Sequence, residues 1–145
     1  MQALHSFDFG NAMQIGRAVR VGLLTSAPQS QLQAGILSLG GQVEVNSDSA
    51  AFLNAMGLLR ASGRSAVSHF DLIVVDCDSL GGPVSIKSEI TALLAQSLPL
   101  ILVSRAFDSH IFPEARGQAV QLRAPASSLS LRIGYEHALR DLARG

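Results

Sequence analysis

The segment that most constrains the fold runs from Phe70 to Asp76 and reads FDLIVVD. Its centre is a continuous apolar run rich in β-branched residues, which is typical of a parallel strand buried on both faces. A sheet that is apolar on both faces must be covered by a layer of other elements on each side. We therefore predict that this segment is the central strand of an α/β fold.

Four other apolar runs alternate with stretches of helical spacing. The further predicted strands are Arg20–Ser26, Val43–Val45, Pro99–Ser104 and Ala119–Leu122. The apolar faces of the predicted helices are formed by Leu32, Ile36 and Leu39, by Phe52, Leu53, Met56 and either Leu58 or Leu59, by Ile86, Ile90, Leu93 and Leu94, and by Leu131, Tyr135, Ala138, Leu139 and Leu142. Between Asp108 and Gly117 the periodicity is weak and Pro113 interrupts it, so any helix there is short or irregular.

This alternation of strands and helices predicts a doubly wound α/β fold with a flavodoxin-like sheet. Right-handed crossovers leave few topologies, and the commonest order for five such parallel strands is 2-1-3-4-5. About five helices then cover both faces of the sheet, which gives three layers. We assign this domain to residues 20–145, and we expect residues 1–19, whose apolar residues are not cleanly periodic, to form an N-terminal tail or an extra segment.

The charge and cysteine content argue against several classes of protein. Eleven basic and eleven acidic side chains give no net charge and no basic run, so we expect no binding of nucleic acid by this domain alone. No apolar run approaches the roughly 20 residues of a membrane span, and the chain start lacks the basic and apolar stretches of a secretory signal. The single cysteine, Cys77, cannot form an intrachain disulfide. These features predict a cytoplasmic protein.

Polar and charged residues follow four of the predicted strands, at the edge where α/β proteins place their ligands. Because the carboxyl ends of parallel strands meet at one edge of the sheet, we expect these residues to form the candidate site. They are Thr25 and Ser26 after the first strand, Asp76, Cys77 and Asp78 at the central strand, Ser104 and Arg105 at the fourth, and Arg123, Ala124 and Pro125 at the fifth.

At these positions the chain resembles the receiver domain of two-component response regulators, the fold of the chemotaxis protein CheY. The resemblance covers residues 19–144 and rests on the stretch DLIVVDCDSLGG, residues 71–82, which is similar to the family's segment around its phosphorylated aspartate. It implies that Asp76 is equivalent to the phosphoacceptor and that Ser104 matches the hydroxyl residue that follows the phosphoryl group. The stretch from Leu122 to Pro125 resembles the end of the fifth strand, where the family has a lysine before a proline.

The chain departs from the family at the positions that carry the chemistry. The positions where receivers have the acidic pair that holds Mg²⁺ read Thr25, Ser26 and Ala27, and Ala124 stands where they have the lysine. A Mg²⁺ site needs hard oxygen ligands, and Asp76 with Asp78 nearby is a poor substitute for that pair. Phosphoryl transfer depends on cationic groups that neutralise the transferred group. The resemblance therefore implies a degenerate receiver, or pseudo-receiver, with no metal, no cofactor and no catalytic residue.

Two other side chains at this edge need a separate interpretation. Arg105 replaces a residue that is small in the family, and we leave open whether its side chain forms an ion pair with Asp76. Arg123 lies one position before Ala124 and is expected to point the other way by strand alternation. We interpret Cys77 as a small buried side chain and not as a reactive thiol, because free cysteine is usually a small buried hydrophobe and two neighbouring carboxylates disfavour its thiolate.

Other motifs give no further candidate site. The four histidines, His5, His69, His110 and His137, match no metal-ligand spacing. The Gly40–Gly41 and Gly81–Gly82 pairs fit no phosphate-binding motif and are interpreted as turn glycines. The candidate site therefore consists of Thr25, Ser26, Asp76, Asp78, Ser104, Arg105 and Ala124.

Taken together, these features predict a non-catalytic signalling module that acts through protein contacts and independently of phosphorylation. We expect it to be the N-terminal regulatory domain of a bacterial transcription regulator, with a protein partner or an output domain of a longer chain. Mixed charges between Ser104 and Arg144 suggest a homodimer through the C-terminal half. Two alternatives stay open: an active phosphoacceptor receiver that uses Asp76 with Asp78, and a small flavodoxin-like ligand-binding protein with a pocket among Thr25, Ser26, Asp76, Ser104 and Arg105.

Overall fold

Five strands and three α-helices are found in the part of the chain that the computed structural model describes, namely residues 19–27, 31–39, 42–48, 51–52, 70–95, 99–114 and 118–140. Every strand boundary lies within two residues of the predicted one. The strands are β1 Arg20–Leu24, β2 Gln42–Asn46, β3 Leu72–Asp76, β4 Leu100–Ser104 and β5 Val120–Arg123. The helices are α1 Gln31–Ser38, α2 Lys87–Leu94 and α3 Ser128–Ala138, and a single 3-10 turn, Asp78–Leu80, follows β3.

The strands form one sheet of order β2-β1-β3-β4-β5, which confirms the predicted topology. Every pairing is parallel, and β3 lies in the centre between β1 and β4. In this register Leu24 lies beside Val75, and Asp76 lies beside Val103. The carboxyl ends of β1, β3, β4 and β5 therefore come together at one edge.

The side chains of β3 alternate between two apolar cores, one on each face of the sheet. Leu72 and Val74 belong to the first core, whereas Ile73 and Val75 belong to the second. Helices α1 and α3 cover the first core with Ile36, Leu39, Leu131, Tyr135 and Leu139, and the second is covered by Phe52, Ile86 and Leu93. The three-layer, doubly wound architecture predicted from the apolar runs is confirmed.

Gly22 interrupts the otherwise apolar strand β1 for a steric reason. The Phe52 and Phe70 rings stack in the second core with centroids 5.3 Å apart. A Cβ atom on Gly22 would lie 3.0 Å from Ile73 Cδ1 and 3.1 Å from the Phe52 ring. The missing side chain at this position therefore makes room for the aromatic pair under the sheet.

The described part of the connection between β4 and β5 differs from the connections that contain α1 and α2. Residues 105–114, which we call the strap, contain no helix, in agreement with the weak periodicity and the proline of this segment. Instead the strap forms an antiparallel bridge between Ile111 and Gln121 of β5. The outer side of β5 is thus covered by irregular chain.

Several predictions fall at the limits of the described residues. Val19 is buried, and its carbonyl accepts a hydrogen bond from the Gln42 amide over 2.9 Å, whereas residues 1–18 lie outside the described part. The predicted helix beginning near Phe52 is described only at residues 51–52, and Leu142 also lies outside. No helix within the described ranges is long and apolar enough to cross a membrane.

Candidate functional site

The sheet brings the candidate residues to its carboxyl edge, as the sequence predicts. Thr25 directly follows β1, Asp76 ends β3, Ser104 ends β4 and Ala124 directly follows β5. The register places Asp76 beside Val103, and the Cys77 amide continues the ladder by donating to the Val103 carbonyl over 3.0 Å. Neighbouring loops at this edge are therefore close enough for their side chains to bond to one another.

Asp76 is held by hydroxyl groups of the chain itself. The buried Thr25 hydroxyl donates to Asp76 Oδ2 over 2.7 Å and lies 3.2 Å from the Ser79 hydroxyl. The Ser79 hydroxyl donates to the Asp76 carbonyl over 3.0 Å and accepts from the Ser26 amide over 3.0 Å. The Ser26 hydroxyl donates back to the Ser79 carbonyl. The loops after β1 and β3 are thus joined by a closed network of neutral donors.

Asp78 links the loop after β3 to the end of β4. Its Oδ1 accepts from the buried Ser104 hydroxyl over 2.7 Å, and its Oδ2 accepts from the Arg105 amide over 2.8 Å. The Ser104 hydroxyl also accepts from the Ala106 amide over 3.0 Å. Both oxygens of this carboxylate are therefore engaged in fixing the first residues of the strap.

An open recess of about 670 Å³ lies between these loops and the end of β5. Its polar wall includes Asp76, Asp78 and Arg105, and its apolar wall includes Val103, Ala124 and Pro125. The small side chain of Ala124 leaves this volume open on the side of the fifth strand. The recess is large enough for a small molecule or for a side chain from a partner.

The two arginines of this edge behave differently. No ion pair or side-chain hydrogen bond between Arg105 and Asp76 is found among the described residues, so the pair that the sequence left open is not formed. Arg123 is directed away from the recess, as strand alternation predicts, and its guanidinium donates to the carbonyls of Phe107 and Asp108 over 3.2 Å each. Among the described residues that line the recess, Arg105 is the one with a cationic side chain.

Cys77 is fully buried between the two carboxylate-bearing residues, in agreement with its interpretation as a small core side chain. Burial raises the pKa of its thiol to about 12, and the charges of Asp78 and Asp76 act in the same direction. Burial is the larger cause of this shift, and the two charges that the sequence argument named are smaller ones. A thiol in this state is protonated and inert at neutral pH.

The residues present do not fit the Mg²⁺ site of a receiver. Such a site needs several hard oxygen ligands around the ion. Here the Thr25 hydroxyl donates its proton to Asp76 Oδ2, so the group at the end of β1 is a neutral donor and not an anionic ligand. Within the described ranges, no group of three His, Cys, Asp or Glu side chains is arranged to hold a metal ion.

Two sets of side-chain bonds, one at each end of the sheet, were missed by the sequence analysis. Ser79 joins the loops after β1 and β3, and its position three residues after Asp76 is a known spacing for a hydroxyl that bonds back to the chain. Arg20 and Asp71 form an ion pair of 3.2 Å at the opposite, amino end of the sheet. They are 51 residues apart, so no local signal links them.

The positive-φ glycines after β3 confirm the turn interpretation of Gly81–Gly82. Gly81 has φ 104° and Gly82 has φ 99°, a region that strongly favours glycine. The Gly82 amide donates to the Cys77 carbonyl over 2.8 Å, which closes the loop. The pair therefore shapes the loop that carries Asp78 and Ser79.

Comparison with known proteins gives a match in structure but none in sequence. No protein-family model matches the chain, and no curated protein matches it. The anti-anti-sigma factor PhyR from Bartonella quintana is similar with a TM-score of 0.54 and 14% identity, over 88% of this chain and 49% of that chain. A structure of the PhyR stress response regulator is similar with a TM-score of 0.51 and 15% identity, over 90% of this chain and 49% of that chain.

These likenesses concern the fold. The sheet order together with the PhyR neighbours shows that the chain has the flavodoxin-like, CheY-like fold of response-regulator receiver domains. The chain spans about half the length of the PhyR structures that it matches.

Proposed function

We propose that this chain is a non-catalytic, receiver-like signalling module that acts through protein contacts without phosphorylation of Asp76. One observation carries the proposal: both carboxylates at the carboxyl edge are bound by donors of the chain itself. Asp76 accepts from Thr25, and Asp78 accepts from Ser104 and from the Arg105 amide. The edge is thus a set of internal bonds that holds three loops together.

The chemistry of phosphoryl transfer supports this assignment. Transfer to a carboxylate requires positive charge that neutralises the oxygens of the transferred group. Thr25 and Ser26 supply hydroxyls at the end of β1, and Ala124 supplies a methyl group at the end of β5. The scaffold is retained while the groups that the reaction needs are replaced by neutral ones.

A role in signalling is also supported by the neighbours in fold. They are named an anti-anti-sigma factor and a stress response regulator, and this chain covers about half of each. We propose that the module is a regulatory part of a longer regulator, such as a bacterial transcription regulator, and that it acts in the cytoplasm on a protein partner or an output domain.

The test is a titration of the protein with Mg²⁺ and then beryllofluoride, followed by amide NMR shifts. We expect no shifts centred on Asp76 and Ser104. As a positive control, the triple variant Thr25→Asp, Ser26→Asp and Ala124→Lys restores the acidic pair and the lysine and is expected to respond. Asp76→Asn in that variant should abolish the response. Shifts in the unmodified protein that vanish in Asp76→Asn would establish an active phosphoacceptor instead.

A second candidate, a ligand-binding protein, is favoured by the size of the recess. Its volume of about 670 Å³ lies in the range of small-molecule sites. The Arg105 side chain makes no hydrogen bond or ion pair within the described residues and is available to an anionic group. Saturable shifts of the Arg105 side chain and Ala124 amide with sulfate or a nucleotide, lost in Arg105→Gln, would support this function over the first.

We further propose a homodimer through the C-terminal half. Leu129 and Ile133 lie one helical turn apart on α3 and are 61% and 39% exposed, and Ile111 of the strap is 48% exposed. Such apolar exposure is typical of a surface that meets a partner. Arg123 and Arg140 from this half bind strap carbonyls, so they are not available for the charged rim that their sequence positions suggested.

Light scattering over a concentration series tests the dimer. We expect the mass of the unmodified protein to approach that of two chains and Leu129→Ser to weaken the association. Val84→Ser is the matched control, because Val84 is 88% exposed but lies outside the C-terminal half. A monomer at every concentration, or equal weakening by both variants, would refute the proposed interface.

A further inference from the structure

The strap is fixed to the edge strand β5 by backbone and side-chain bonds. The amides of Ile111 and Gln121 donate to each other's carbonyls over 2.7 and 2.9 Å. The Arg123 guanidinium holds the carbonyls of Phe107 and Asp108. Because the edge of a sheet presents unpaired backbone groups, the strap covers part of a surface that is otherwise open to another chain.

A second set of bonds fixes the far end of the strap near the end of α3. The Arg140 side chain donates to the Pro113 carbonyl over 3.2 Å and to the Glu114 carbonyl. His137 Nε2 bonds to the Pro113 carbonyl, and the Phe112 ring packs edge-on against the His137 ring with centroids 5.8 Å apart. The strap is thus anchored at both of its ends.

His110 lies between these two anchors and binds in a way that depends on its protonation state. The Arg123 amide donates to His110 Nδ1 over 3.0 Å, so Nδ1 must carry a free lone pair. The neutral ring then has its proton on Nε2, which lies 3.1 Å from the Ser130 hydroxyl. Ser130 in turn belongs to the first turn of α3, where its amide donates to the Ser127 cap over 3.1 Å. His110 therefore joins the strap to β5 and to α3 at once.

His137 differs from His110 in the partners of its ring nitrogen. His137 Nε2 lies beside the Pro113 carbonyl, which only accepts, and 2.7 Å from the Arg140 guanidinium, which only donates, so either protonation state of Nε2 keeps one of the two contacts. His110 Nδ1 has the Arg123 amide as its partner, and protonation of His110 puts a proton where that amide must donate.

We propose that His110 is a pH-sensitive clasp: protonation of Nδ1 breaks the bond to the Arg123 amide and releases the strap from β5. The charged and titratable groups on the elements around it are Arg105, Asp108 and Glu114 of the strap, Arg123 of β5, Arg132, Glu136 and His137 of α3, and Arg140 just after α3. Release exposes the backbone groups of β5 that the strap bridges in the closed form. This conformational change does not depend on the proposed function of the carboxyl edge.

The test is amide hydrogen exchange measured by NMR and corrected for the intrinsic rate at each pH. In the unmodified protein we expect the protection of the Arg123, Ile111 and Gln121 amides to fall about three- to tenfold between about pH 8 and about pH 5, the range in which histidine changes charge. The Val74 amide in the central strand is the reference, and its protection should stay constant if the opening is local.

Matched variants separate the clasp from other effects. In His110→Asn the amide oxygen takes the place of Nδ1 and accepts at every pH, so strap protection should stay high and independent of pH. His137→Gln is expected to keep the pH dependence of the unmodified protein. Protection that does not change with pH in the unmodified protein, or a fall that persists in His110→Asn, would overturn the proposal. So would loss of the pH dependence in His137→Gln.

Discussion

Strand β3 has a carboxylate at each end, and the two are held by different chemistry. At the amino end, Asp71 accepts from the Arg20 amide over 3.0 Å and from the Arg20 guanidinium over 3.2 Å. At the carboxyl end, Asp76 accepts from the Thr25 hydroxyl over 2.7 Å. The first carboxylate has a cationic partner from the neighbouring strand, and the second has a neutral one.

The difference separates an end where the carboxylate is paired with a cation from an end where the carboxylates face an open recess. Burial by itself raises the pKa of Asp71, but the hydrogen bonds and charge of Arg20 outweigh it and hold this pKa below its usual value. At the carboxyl end, hydroxyls fix Asp76 and Asp78 in place without cancelling their charge. Negative charge is therefore kept beside the open recess and neutralised at the opposite edge.

The largest effect is expected at Cys77, which lies between the two carboxylates of the carboxyl end. At about pH 8, its reaction with DTNB in the native protein should be at least roughly a thousandfold slower than in the unfolded chain, since attack requires unfolding. As a control, an exposed thiol in Cys77→Ser with Ser109→Cys should react at once. Rapid labelling of native Cys77 would contradict the burial of this loop.

The raised pKa of Cys77 also has a consequence for stability. The thiol is favoured in the folded state, so its contribution is fully present below the unfolded pKa of 9.0 and is lost as the pH rises through about 12. Denaturation measured from neutral to alkaline pH should therefore show a loss of stability that is smaller in Cys77→Ala.

The next largest effect is expected on stability when the neutral donor to Asp76, the Thr25 hydroxyl, is removed. Thr25→Val removes the hydroxyl from a buried position without changing the shape of the side chain. We expect a loss of about 1 to 3 kcal/mol in the free energy of unfolding, because Asp76 and the Ala27 amide each lose a partner. Thr91→Val is the control, since that hydroxyl bonds to the Lys87 carbonyl on an exposed helix face. Equal losses in urea denaturation would show that the carboxyl-end network is unimportant.

A smaller effect, dependent on pH, is expected at the amino end. The lowered pKa of Asp71 means that its pair with Arg20 stabilises the fold above the unfolded pKa of 3.8 and loses that contribution as the pH falls through the folded pKa. Asp71→Asn should therefore reduce the stability near neutral pH and flatten the loss of stability below about pH 4. Asp108→Asn should lose stability at acid pH as the unmodified protein does. A flattened pH dependence in Asp108→Asn as well would argue against the assignment of this effect to Asp71.

The smallest predicted effect is a difference in salt dependence between the side-chain interactions at the two ends of β3. Raising the salt from about 0.1 M to about 1 M shortens the Debye length from about 10 Å to about 3 Å. In double-mutant cycles, the coupling of Arg20→Gln with Asp71→Asn should decrease, because the Arg20 side chain is 40% exposed. The coupling of Thr25→Val with Asp76→Asn should change less. A larger decrease for the Thr25–Asp76 coupling than for the Arg20–Asp71 coupling would contradict this prediction.

The strands illustrate what local patterns predict well. Continuous apolar runs located β1 to β5 to within two residues, and the sheet order followed from the crossover rules. The first strand was predicted to reach Ser26 but ends at Leu24. Beyond this point, Thr25 and Ser26 bond to the loop after β3, a contact across 51 to 54 residues that no local window contains.

The strap illustrates what local patterns leave undetermined. Weak periodicity and Pro113 indicated that the segment after β4 would be irregular, and this is confirmed for residues 105–114. The partners of His110 and Arg140 were not predicted, because they lie 13 to 27 residues away along the chain. A histidine without metal-ligand spacing gave no sign of a structural role.

The sequence by itself determined the layers, the strand order and the position of the candidate residues at the carboxyl edge, because apolar periodicity and crossover handedness are local or topological constraints. Only the tertiary structure decided how the charged and polar groups pair. Asp78 accepts from Ser104 and from the Arg105 amide, Asp71 pairs with Arg20, and His110 of the strap accepts from the Arg123 amide. These pairings depend on distances of about 3 Å between residues far apart in sequence, and packing of the two cores sets those distances.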